Sequence, residues 1–183
     1  MSVTISAGFE AGSIGIVSAE RPDDIQLRLL HDNASDFHQW FFFRIVGAKG
    51  QPLTLRIRNA GDSNANKGLV GMPDPWENYR AHASYDLKRW FRLPTQYDGA
   101  ELRISCTPEH DGIHLANFAP YSMQRHYALI ARAQMSPRVA LDVPGRTPDG
   151  ADLDLLRVGE PAPGRKKCWI IARQHPGEPQ SSW

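Results

Sequence analysis

Hydrophobic and polar positions alternate with a period of two over several short stretches of the chain. Leu53, Leu55 and Ile57 alternate with Thr54, Arg56 and Arg58; Leu102, Ile104 and Cys106 alternate with Glu101, Arg103 and Ser105; Ile25, Leu27 and Leu29 enclose Gln26 and Arg28. Successive side chains of a strand point to opposite faces, so each stretch predicts a half-buried antiparallel strand. Residues 40–46, Trp40-Phe41-Phe42-Phe43-Arg44-Ile45-Val46, are apolar on both faces and predict a central strand of a packed sheet. Turn signals lie between these stretches at 47–52, 59–71, 73–75, 97–99 and 111–112. Many short strands separated by turns predict a β-sandwich.

The pattern changes after Phe118. Met123, Tyr127, Ile130 and Ala131 recur at three and four positions, which predicts an amphipathic helix over 121–135, capped by Ser122 and stopped by Pro137. Two strand-like pieces, 139–143 and 153–158, flank a Pro- and Gly-rich hairpin connection at 144–150. Residues 167–173 contain Cys168-Trp169-Ile170-Ile171-Ala172, which reads as a buried strand ending in Gln174-His175-Pro176-Gly177-Glu178. Helix, hairpin and buried strand resemble the opening of an α/β domain, too few elements to bury a sheet alone. The expected fold is mainly β: an antiparallel β-sandwich N-terminal domain over 1–118, then the truncated start of an α/β domain over 119–183.

Composition narrows the function classes. The 183 residues carry a formal net charge of +1, which removes the electrostatic reason to expect nucleic acid or an anionic membrane as partner. No apolar run is long enough to span a bilayer, and no basic start precedes an apolar segment at the N-terminus. The two cysteines, Cys106 and Cys168, suggest reduced core thiols, so a cytoplasmic protein is expected and the sequon Asn33-Ala34-Ser35 reads as chance. Oligomeric state is not legible.

Among residues that carry chemistry, His175-Pro176-Gly177-Glu178 has the strongest mechanistic reading. An imidazole and a carboxylate three residues apart can face one metal if the backbone turns between them, and Pro-Gly favours a turn. Zinc takes such nitrogen and oxygen donors. The alternative is an ordinary solvent loop, which spacing alone favours because His-x-x-Glu recurs by chance. The remaining histidines, His31, His38, His82, His110, His114 and His126, show no tight metal spacing. Ser84, His82 and Asp86 form a triad only on paper, since no serine sits in a nucleophile elbow. Cys168, inside an apolar strand, is expected to be inert packing.

Together the motifs resemble the cytosolic-type zinc carboxypeptidases of the M14 metallopeptidase family. The resemblance rests on Ala172-Arg173-Gln174-His175-Pro176-Gly177-Glu178 followed by Ser181-Ser182-Trp183. Upstream it is supported by Phe41-Phe42-Phe43-Arg44-Ile45, Ile57-Arg58-Asn59, Ala83-Ser84-Tyr85-Asp86, Trp90-Phe91-Arg92-Leu93-Pro94 and Phe118-Ala119-Pro120-Tyr121-Ser122. It implies that residues 1–118 are the family's N-terminal sandwich and 119–183 the incomplete start of its metallocarboxypeptidase domain. It also implies that His175 and Glu178 are two ligands of one zinc ion, whose activated water hydrolyses C-terminal residues from peptides or proteins. The family's third ligand, a histidine, its carboxylate-binding arginine and its general-base glutamate lie further along than Trp183. The chain by itself is therefore expected to bind zinc weakly and to cleave nothing. The competing reading is a non-catalytic β-sandwich module that binds peptide or protein.

Overall fold

The computed structural model describes residues 3–33, 35–63, 73–175 and 177–183. Ala34, Pro176 and part of the expected 59–71 turn lie outside them.

The period-two stretches become strands whose apolar side chains all turn inward. In β5 (Leu53–Ile57), Leu53, Leu55 and Ile57 are buried while Thr54 and Arg56 are less so, and β9 (Leu102–Cys106) buries Leu102 and Ile104. These strands pair antiparallel with Leu55 opposite Ile104. They lie in a five-stranded sheet with β2 (Gly15–Ser18), β3 (Ile25–Arg28) and β8 (Thr95–Tyr97), in the order β2-β3-β5-β9-β8. One expectation changes here: β3 runs parallel to β5, Ile25 opposite Leu55, and is antiparallel only to β2. Parallel neighbours need a crossover. The chain makes it by visiting the other sheet between residues 28 and 53.

That second sheet has the order β1-β4-β10-β6-β7, from β1 (Thr4–Ser6), β4 (Phe42–Val46), β10 (Ile113–Ala116), β6 (His82–Ser84) and β7 (Phe91–Arg92). The apolar stretch at 40–46 supplies β4, flanked by β1 and β10 as expected of a central strand. Phe41, Phe43 and Ile45 are fully buried against Leu27, Leu55, Ile57 and Ile104 of the facing sheet, so the two sheets share one core. Outside that core, Glu101 is the common partner of Arg56 (2.7 Å), Arg58 (3.0 Å) and Arg103 (3.5 Å).

Past the sandwich, α1 (Met123–Gln134) begins where Ser122 accepts the Arg125 N–H at 3.2 Å, so the expected cap is observed. Its range is a turn shorter than 121–135 and none of its residues is buried. The hairpin is also as expected: β11 (Val139–Asp142) pairs antiparallel with β12 (Leu155–Val158). His126 of α1 reaches Asp154 beside β12, Nε2 to Oδ2 at 2.6 Å. No helix of the described residues is long and apolar enough to cross a membrane.

The expected buried strand at 167–173 is not observed. Trp169 is 73% exposed, Ile170 90% and Ile171 66%, and Cys168 is exposed rather than packed. A strand satisfies its backbone N–H and C=O groups on neighbouring strands. No ladder among the described residues includes 168–172, so the apolar run has nothing to pair with or pack on. Phe91 is 38% exposed because it lies on the edge strand β7.

Candidate functional site

The site is built on the segment that follows the exposed run. The Glu178 N–H donates to the His175 carbonyl at 3.0 Å, a three-residue turn closure of the kind expected from Pro-Gly. Residues Pro179–Ser182 form a 3-10 turn, and the Arg173 N–H donates to Ser181 Oγ at 3.0 Å, closing the loop on itself. Trp183 anchors it to the start of α1. Its indole N–H donates to the Ala119 carbonyl at 3.2 Å, its ring meets Tyr121 edge-on at 5.7 Å, and the Arg125 guanidinium lies 4.0 Å above it.

This anchoring turns His175 and Glu178 toward the sandwich. Both line a cleft of about 740 Å3 whose opposite wall carries Phe37, Trp40, Trp76, Tyr79 and Phe118. The wall is held by polar contacts at its back. Trp76 is 2% exposed, and its indole N–H is shared between the Ala60 carbonyl and Ser63 Oγ, both at 2.9 Å. Its ring meets Tyr79 edge-on at 5.1 Å. The Tyr79 hydroxyl and the His82 Nδ1–H both donate to the Asn117 carbonyl, at 2.6 and 2.8 Å. The Asn117 side-chain amide in turn donates to the Gln39 carbonyl at 3.1 Å. Burial pushes the Tyr79 phenol far up and His82 down, an effect its bond to Asn117 partly offsets, so both are neutral near pH 7.

His175 and Glu178 are exposed to the cleft and offer one nitrogen and one carboxylate, a donor set zinc accepts. Among the described residues no group of three histidine, cysteine, aspartate or glutamate side chains is arranged to hold a metal. The other histidines have separate roles. His31 stacks on His38 at 4.5 Å, His110 meets the Tyr85 ring at 4.7 Å, and His126 is paired with Asp154. Ser84 accepts the Leu87 N–H at 2.8 Å and lies 3.3 Å from Asp86, while the His82 ring is bonded to Asn117. Those three residues thus serve a turn and a strand end, not a triad. Cys106 is free, and burial raises its thiol to about 11.

Sequence reasoning located the His175–Glu178 turn but missed its opposite wall. Phe37, Trp76 and Tyr79 come from separate loops, and no spacing links them to His175. The nearest signal was the Phe118-Ala119-Pro120-Tyr121 motif, which joins the wall to the helix start that seats Trp183.

Comparison with known proteins gives consistent matches. The family model of the cytosolic carboxypeptidase N-terminal domain matches residues 5–118. A curated protein of Zymomonas mobilis, described as uncharacterized, is 40% identical over all 183 residues, which cover 45% of its length. The crystal structure of a metallo-carboxypeptidase from Burkholderia cenocepacia superposes with a TM-score of 0.90 at 42% identity, covering 100% of this chain and 47% of that one. A metallo-carboxypeptidase from Pseudomonas aeruginosa, in complex with (2-guanidinoethylmercapto)succinic acid, gives 0.84 at 38% identity over 95% of this chain and 45% of that one. The chain thus spans about half the length of the relatives it matches.

Proposed function

The chain belongs to the cytosolic carboxypeptidase N-terminal domain family, and we propose that it is the amino-terminal part of a zinc metallocarboxypeptidase. The whole enzyme, in this reading, removes C-terminal residues from peptides or proteins in the cytoplasm, a setting in keeping with two unpaired cysteines. We divide the chain into a sandwich over 1–118 and the start of the catalytic domain over 119–183. The end of the last sandwich strand, β10, at Ala116 and the end of the family match at 118 support that boundary.

One observation carries the reading: His175 and Glu178, closed into one turn, open onto a cleft whose far wall is the sandwich. They fit zinc as one imidazole nitrogen and one carboxylate. A third protein ligand and a general base then come from beyond these 183 residues. Zinc, when bound, supplies the Lewis acidity that activates water for attack near neutral pH. This chain's residues hold and orient. Trp183 and Arg173 brace the ligand turn, and the Phe37, Trp40 and Tyr79 wall offers apolar surface along which a peptide lies.

The test is C-terminal residue release from a peptide panel by the protein expressed at the length of its relatives. Zinc-dependent release, lost on chelation, lost in Glu178→Gln and absent from the 183-residue chain alone, is expected. No release by the longer protein, or release that survives Glu178→Gln, contradicts the proposal.

A further inference from the structure

A second cavity, of about 900 Å3, lies on the opposite side of the Trp183 anchor, between α1 and the outer face of the β4–β10 pair. It shares no lining residue with the His175 cleft. Its floor is aromatic. Phe9 meets Phe42 edge-on at 4.9 Å, and Phe42 lies 6.2 Å from both Trp90 and His114.

Two features of this floor ask for a partner. Trp90 Nε1 and His114 Nδ1 are both buried and make no hydrogen bond among the described residues. Buried polar atoms are nearly always satisfied, so two orphans lining one cavity point to a ligand or ordered water between them. Burial and the neighbouring Arg44 hold His114 below the ordinary imidazole value against a backbone hydrogen bond to Ser84, so its ring is neutral and Nδ1 is the nitrogen left for a ligand.

The rim is cationic. Arg44, opposite His114 in the β4–β10 ladder, Lys88 and Arg132 of α1 line the cavity and make no ion pair among the described residues. The two acidic residues of the lining are already engaged with backbone. Glu10 accepts the Met123 N–H at 2.6 Å, and Asp86 accepts the N–H groups of Lys88 and Arg89 at 2.9 and 2.8 Å. With Arg125, the four cations of the lining outnumber its two carboxylates, so the cavity is net positive above an apolar floor with unspent polar atoms.

We propose that this cavity binds an aromatic anion, a flat ring bearing a phosphate or carboxylate group. The ring packs against Phe9, Phe42 and Leu129, the Trp90 N–H meets an acceptor on the ligand, and the anionic group is taken by Arg44 and Arg132. The cavity's volume lies within the usual range for small-molecule sites.

The test titrates phenyl phosphate, phenylacetate and inorganic phosphate into the full chain. Binding is read by calorimetry and by the side-chain NMR signals of His114 and the Trp90 indole. At least one aromatic anion should shift both signals saturably and bind about tenfold or more tightly than inorganic phosphate. The tighter of the two identifies the anionic group. The double variant Arg44→Ala/Arg132→Ala should weaken that binding by about tenfold or more with an unchanged unfolding midpoint. The exposed Arg157→Ala, outside the cavity, should leave it intact. Neither aromatic anion shifting the two signals, inorganic phosphate binding equally well, or a double variant that binds like wild type would overturn the proposal.

Discussion

Residues 41–45 and 168–171 are apolar runs of similar appetite for burial, and they meet opposite environments. In the first, Phe41, Phe43 and Ile45 are fully buried, with β1 and β10 on either side of β4 and a second sheet beneath. In the second, Trp169, Ile170 and Ile171 are each at least 66% exposed and belong to no ladder. Composition does not separate them. What separates them is supply: the first run has strand neighbours and an opposing sheet within the described residues, and the second has neither. Apolar patterning states a demand for burial, and the fold shows whether the chain meets it.

The largest effect that sharpens this contrast is truncation in the two runs. Phe43→Ala should cost about 3–5 kcal/mol of unfolding free energy in a denaturant titration, through lost burial and the cavity left behind. Ile170→Ala should change it by less than about 0.5 kcal/mol, as for other exposed positions. Equal costs would remove the distinction. Limited proteolysis reads the same contrast without mutation. Nicks are expected first beyond residue 119, while a sandwich fragment persists, because the later region has no buried helix residue and an unpaired apolar run. Early cleavage inside β4 or β5 would count against it.

A smaller effect is expected at the junction of the two regions. Trp76→Phe keeps an aromatic ring but removes the indole N–H shared by the Ala60 carbonyl and Ser63 Oγ; the Ser63 hydroxyl still donates to that carbonyl at 2.7 Å, so the cost is about 1 kcal/mol. The smallest effect is in pH dependence. His82 and His114 are held below the ordinary imidazole value chiefly by burial. The unfolded chain therefore binds more protons than the folded one once the pH falls below about 6.5. Stability is full above that value and declines as the pH drops through the folded values. His82→Asn should make the decline shallower in a pH series of thermal unfolding, and an unchanged slope would show that His82 is not desolvated.

Local chemistry was legible in the sequence wherever one element carried the whole signal. Leu53, Leu55 and Ile57 announced β5, Ser122 and Pro137 bounded α1, and Pro144 with Gly145 and Gly150 marked the hairpin connection. The parallel pairing of β3 with β5 was not legible, because alternation in Ile25, Leu27 and Leu29 sets a face and not a partner. Strands as short as β6, β7 and β8, with two or three residues each, hold too few positions for a period to show. At the site the turn was legible and the wall was not. His175 and Glu178 sit three residues apart, whereas Phe37, Tyr79 and Phe118 meet them only through tertiary packing.

The central claim is that His175 and Glu178 are ligands of one zinc ion that faces the sandwich wall. Its most direct test is the zinc content, by elemental analysis after dialysis, of the protein at the length of its relatives, as wild type, His175→Ala and Glu178→Gln. The account predicts that wild type retains zinc in proportion to protein and that both variants lose it while unfolding at the same temperature. Retention of zinc by the variants at the wild-type level would contradict it.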